Sequence, residues 1–104
     1  MLNSNKKFED NGLAITPADP RAHDSVKVIY NGLLVKSGAG AVWAHVGFDG
    51  DWNHVNDYKM EKTDHGFTAD IPMQYADTLN IAFKDCASNW DNNSGNNYSF
   101  HIAH

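Results

Sequence analysis

The sequence predicts an all-β protein, an antiparallel β-sandwich of immunoglobulin-like type folded as a single domain. Three observations predict it. Apolar and polar residues alternate over four stretches, the period of a half-buried strand. Turn signals separate the stretches every 8–12 residues or so, the rhythm of a small sandwich. And 104 residues suffice to bury one core without metals or disulfides.

The elements follow in order. Residues 1–11 are polar and are expected to form a flexible N-terminal segment, leaving 12–104 as the sandwich module. "GLAI" at 12–15 reads as an edge strand, and Pro17 and Pro20 break the chain after it. In "SVKVIYNG", Val26, Val28 and Tyr30 share a face, and Asn31-Gly32 signals a turn. "VWAHVGF" places Val42, Ala44, Val46 and Phe48 on one face. "YKMEKT" and "GFTADI" read as two short strands joined at Asp64-His65-Gly66, where Gly suits a left-handed position. "TLNIAFKD" presents Leu79, Ile81 and Phe83 together, and "NYSFHIA" presents Tyr98, Phe100 and Ile102. About seven strands result. No stretch predicts a helix well; "NHVNDYKM" comes nearest.

Composition excludes several functions. The net charge is −5, so nucleic acid, whose phosphates call for Lys and Arg, is not an expected partner. No apolar run reaches the roughly 20 residues that span a bilayer, and no membrane partner is expected. The N-terminus lacks the apolar core of a signal peptide, so the chain as it stands is expected in the cytoplasm; the alternative is secretion as a module of a larger protein. The lone Cys86 excludes an internal disulfide and is expected to be a buried or half-buried loop residue. No cofactor or metal is expected: Asp49-Gly-Asp51-Trp-Asn53 lacks the sixth-position Gly and twelfth-position Glu of a calcium loop.

The tryptophans point to function. If Val42, Ala44, Val46 and Phe48 face the core, Trp43 and His45 face the other way. Trp52 sits in "FDGDWNHVND" and Trp90 in "SNWDNNSGNN", both read as polar loops. None of the three belongs to the main apolar face. Aromatic planes beside amide and carboxylate groups suit a sugar, whose C–H face packs on a ring and whose hydroxyl edge needs donors and acceptors. The residues by themselves indicate a polyhydroxylated ligand and no more.

Two long segments, "AHVGFDGDWNHVNDYKMEKT" and "LNIAFKDCASNWDNNSGNNYSF", resemble carbohydrate-binding module family 25, a starch- and glycogen-binding family. The most specific part runs from Ala82 to Tyr98, supported by His45, Gly47 and Trp52 and by "YNGLLVKSGA". The resemblance implies a β-sandwich without catalytic activity that binds α-1,4-glucan or maltooligosaccharides. It implies an aromatic platform of His45, Trp52 and Trp90. Asn92 and Asn93 would bond sugar hydroxyls, and Lys84 and Asp85 would support the loop or touch ligand. Trp43, read from its place on the His45 face and not from the resemblance, either flanks the site or covers a neighbouring strand. Cys86-Ala87 departs from the family's Gly-containing pair, which implies a different turn before Trp90. Phe67 stands where Trp is frequent, a matter of packing. An attached or associated glucan-active enzyme is the implied partner, and in the secreted alternative the chain is a module of a larger amylase.

Two other classes compete. A small glycosidase would need a pair of carboxylates drawn from Asp49, Asp51, Asp57, Asp85 and Asp91, flanking one bond in a cleft. A protein-interaction sandwich would use the tryptophans as a hot spot.

Overall fold

A computed structural model describes residues 12–16, 20–50, 53–92 and 97–103, and of Asn53 and His54 the backbone alone. Its strands are β1 (Leu13–Thr16), β2 (Ser25–Tyr30), β3 (Val42–Phe48), β4 (Asn53–Lys59), β5 (Glu61–Thr63), β6 (Gly66–Pro72), β7 (Thr78–Asp85), β8 (Trp90–Asp91) and β9 (Tyr98–His101). One sheet has the order β1-β2-β6-β5; the other is β4-β3-β7-β8, with β9 also on β7. Every strand pair is antiparallel. The first order matches the A-B-E-D sheet of an immunoglobulin-like sandwich, and the second matches its C-F-G sheet with one strand added.

Alternation drives the two sheets together. The inward residues Val26, Val28, Tyr30, Val42, Ala44, Val46, Leu79, Ile81, Phe83, Tyr98, Phe100 and Ile102 are all buried, as the period of two predicts. Phe83 lies at the centre, stacked on Tyr30 at 4.0 Å and tilted against Tyr98 at 5.8 Å. Phe67 is buried among this core, consistent with a packing role.

The turn at 64–66 forms as expected. Thr63 pairs with Gly66, and Gly66 has φ +116, with a Cβ there only 2.7 Å from the Tyr30 carbonyl oxygen. Glycine is required on both counts.

Of "NHVNDYKM", the nearest approach to a helix where none was well predicted, Asn53–Lys59 form strand β4. Three elements differ from the expectation. "YKMEKT" is not one strand: Met60 is a buried corner that bonds the Val42 carbonyl of one sheet, and Glu61 then joins Thr68 of the other. A short helix, α1 (Leu33–Lys36), follows Asn31-Gly32 where only a turn was predicted. It closes one end of the sandwich with Leu34 buried and Leu33 exposed. Finally, Trp90 and Asp91 are strand rather than loop. β8 and β9 both pair with β7, one beyond the other along it, and the Asn97 N–H donates to the Asn92 carbonyl at 2.7 Å.

The residues 1–11, 17–19, 51–52, 93–96 and 104 lie outside the described set. Trp52, Asn93 and the N-terminal segment are among them.

Candidate functional site

The outer face of the β4-β3-β7-β8 sheet carries the site. Register places Lys59 opposite Trp43, Trp43 opposite Lys84, and Lys84 opposite Trp90, so these four form one row across four strands. In the next row Asp57 is opposite His45 and His45 opposite Ala82. At the usual strand spacing, Trp43 and Trp90 are about 10 Å apart across Lys84. The alternation that buries Val42 and Ala44 therefore presents Trp43 and His45 together, as the sequence predicts.

Trp90 is 45% exposed, a high value for tryptophan. His45 meets it edge-on, with ring centroids 5.3 Å apart and planes at 89°. The Lys84 ammonium lies 5.5 Å from the Trp90 ring centroid, and the Lys59 ammonium 5.8 Å from that of Trp43. Both are cation–π distances.

Asp57 joins these groups. Its Oδ1 accepts from His45 Nδ1 at 2.6 Å, and its Oδ2 accepts from Lys84 Nζ at 2.7 Å. Partial burial would push the Asp57 carboxyl up, but the hydrogen bonds from Lys84 and His45 outweigh it and hold it below the usual range.

Beneath Trp90 the next residue points inward. Asp91 is buried, and both of its oxygens are held: Tyr30 donates to Oδ2 at 2.5 Å and Tyr98 to Oδ1 at 2.8 Å. The Leu34 N–H of α1 donates in turn to the Tyr30 hydroxyl at 3.1 Å. Burial first, and then the Asp91 carboxylate, push the Tyr30 hydroxyl far above its ordinary value. A buried carboxylate persists only when bonded in this way. Here it fixes a two-residue strand whose other side chain is Trp90. Sequence reading missed this anchor; its signal was two tyrosines on core faces with an Asp directly after an outward tryptophan.

Asp85 shapes the turn before Trp90. Its Oδ1 accepts from the N–H groups of Ala87 and Asn89, both at 2.9 Å, and its Oδ2 from the Asn89 amide at 3.0 Å. The Asn89 side chain and backbone lower the Asp85 carboxyl below its usual range. Asp85 therefore supports the loop, one of its two implied roles. Ser88, just after Cys86-Ala87, takes φ 65, a left-handed position that few non-glycine residues adopt. Cys86 is exposed on this turn, not buried or half-buried, because the turn projects beyond the end of β7. Trp43, Asp57, Lys59, Lys84, Asp85, Cys86 and Ser88 line a depression of about 450 Å³ beside the row.

At the far end of the face, Asp49 anchors the connection that leads to Trp52. Its Oδ1 accepts from the Asp77 and Thr78 N–H groups at 2.9 and 3.2 Å, and its carbonyl accepts from the Asn80 amide at 2.7 Å. Ser99 donates to Asn80 at 2.8 Å. A register shift between Val46 and Phe48 adds one residue to β4 next to this connection. Of the residues read as a site from sequence, the structure brings together Trp43, His45, Lys84 and Trp90. Asn92 follows Trp90 and Asp91 directly, at the edge of the described residues. Trp52 and Asn93 lie outside the described residues. Among the described residues no group of three or more His, Cys, Asp or Glu could hold a metal ion, and no helix is long and apolar enough to cross a membrane.

A sandwich whose outer sheet face carries a row of aromatics and long polar side chains has the form of a binding module. Comparison with known proteins supplies the family. Residues 26–81 match the model of the starch/carbohydrate-binding module (family 53), and the chain belongs to that family. The resemblance to a starch-binding module holds, with family 53 as the matching model rather than family 25. An alpha-amylase of Clostridium acetobutylicum is 36% identical over 87 residues, which is 83% of this chain and 11% of that enzyme. The chain thus spans about a tenth of the length of the curated relative it matches. No solved structure matches.

Proposed function

We propose that the module binds α-1,4-glucan, as starch, glycogen or maltooligosaccharide, on the outer face built by His45, Trp43, Trp90 and Lys84. The observation that carries this reading is Trp90, half exposed yet fixed from below by Asp91 and from the side by His45. A flat ring held open to solvent suits the C–H face of a pyranose. Trp52 and Asn93 complete the platform in this reading, joined by Asn92. The resemblance of residues 82–98 to family 25 supports the same assignment, since Trp90 lies beyond the segment 26–81 that the family 53 model covers.

The module is read as non-catalytic. Of the candidate acids, Asp49, Asp57, Asp85 and Asp91 are each taken up in hydrogen bonds that hold strands or turns, including Asp57 and Asp85, which share the depression beside the row. Carboxylates committed in this way do not favour the acid and base pair that glycoside hydrolysis uses; Asp51 lies outside the described residues. The amylase relative favours residues 12–104 as one module of a larger glucan-active enzyme, exported with it, over a free cytoplasmic glycogen binder. Such a module raises the local concentration of substrate around its partner.

An open platform of this kind gives a Kd between roughly micromolar and millimolar. Titration with maltoheptaose is expected to change tryptophan fluorescence, and starch in an affinity gel is expected to retard the protein while cellulose and xylan do not. No retardation by starch or glycogen would refute the reading and favour a protein-binding hot spot. Release of reducing ends from maltoheptaose would refute the non-catalytic assignment.

A further inference from the structure

We propose that Asp57 is a positioning residue of this face: it sets the His45 ring and the Lys84 ammonium against Trp90 without itself meeting the ligand. The inference rests on the glucan-binding reading and deepens it.

Each strand of the sheet contributes one member. Asp57 is on β4, His45 on β3, Lys84 on β7 and Trp90 on β8. Asp57 and His45 are direct cross-strand partners, as are Lys84 and Trp90. The two pairs are linked through the carboxylate, one oxygen to each base, at 2.6 and 2.7 Å. Both bases then touch the same indole, His45 by its edge and Lys84 by its charge.

An ionised carboxylate only accepts hydrogen bonds. His45 Nδ1 therefore carries a hydrogen directed at Asp57. Nδ1 is thereby withheld from a sugar, and the ring plane is fixed by the bond behind it. The Lys84 chain, drawn over β3 toward Asp57, has its ammonium set beside Trp90 rather than swinging in water. Bases held by a carboxylate in this way order an aromatic surface before the ligand arrives, which lowers the entropy cost of binding.

The test uses Asp57→Asn in the full chain. Long-range ¹⁵N–¹H spectra of the imidazoles and the indole N–H resonances are recorded for both proteins without ligand. Maltoheptaose affinity is measured by calorimetry and the melting temperature by circular dichroism. The expected result is a changed His45 tautomer or Nδ1 shift and a moved Trp90 indole signal. Affinity should fall about tenfold, the scale of one charge-assisted hydrogen bond, with little change in melting temperature. Unmoved His45 and Trp90 signals, or unchanged affinity in a wild-type protein that binds, would overturn the proposal. A double-mutant cycle with Trp90→Phe separates routes: effects that couple support action through Trp90, and strictly additive effects indicate direct ligand contact and overturn it. If wild type does not bind maltoheptaose, the glucan reading fails, while the spectra still decide whether Asp57 sets the two rings.

Discussion

Trp90 and Asp91 are adjacent in sequence and lie on opposite sides of one sheet, the first 45% exposed and the second 7% exposed. Pleating makes this the normal fate of neighbours in a strand. What is specific here is the bonding. Asp91 is clamped by Tyr30 and Tyr98, so the shortest strand of the sheet is held from the core and its tryptophan is held outward.

Removing Trp90 separates binding from folding. Trp90→Ala is expected to abolish retention on soluble starch, with a loss of about 1–3 kcal/mol by analogy with other ring-stacking platforms. The fold should persist, because the side chain is half exposed and leaves no core cavity. Affinity gels and circular dichroism check both halves; an unfolded variant would make Trp90 a core residue.

Removing Asp91 should do the reverse. Asp91→Ala removes the acceptor from two buried hydroxyls, at about 1–3 kcal/mol each. A destabilisation of about 2–6 kcal/mol is expected in urea unfolding, together with weaker glucan binding because Trp90 loses its footing.

The Tyr30 hydroxyl sets the alkaline limit. Its folded value is raised above the ordinary value near 10, so the folded state holds its proton more tightly than the unfolded chain. The associated stability is complete below about pH 10 and is lost as pH rises above it. The melting temperature should fall on that limb, and Tyr30→Phe should flatten the fall. An equal slope in both proteins would assign it to other groups.

Asp57 acts on the acid side with the opposite sign. Its folded value lies below that of the unfolded chain, so its contribution is present above about pH 4 and fades as pH falls through the folded value. The carboxylate is partly exposed, so the contribution is modest. The gap in urea midpoint between wild type and Asp57→Asn should be small, widest near neutrality and closed in acid.

Salt discriminates the ligand class. A neutral saccharide releases no counterions, so maltoheptaose affinity should change little between roughly 50 and 500 mM NaCl, although long-range charge effects are screened over that range. A steep salt dependence would point to a charged partner instead.

Much of this was legible in the sequence for a physical reason. The period of two is a local property, and it places Val42, Ala44 and Val46 inside and Trp43 and His45 outside before any strand has a partner. Gly66 was readable likewise, since a left-handed turn position admits few other residues. Where locality ended, the reading failed. β4 looked nearest to a helix because its outward residues are polar and its apolar signal is short. Met60 gave no local sign that it turns the chain from one sheet to the other.

The sequence by itself determined the sandwich, its inward and outward faces and the outward place of Trp43 and His45, because side-chain alternation requires no long-range information. Only the tertiary structure decided that Asp57 links His45 to Lys84 and that Asp91 lies beneath Trp90 against Tyr30 and Tyr98. Those contacts join residues from 7 to 61 positions apart in the chain, and only strand pairing and sheet packing bring them within hydrogen-bonding distance.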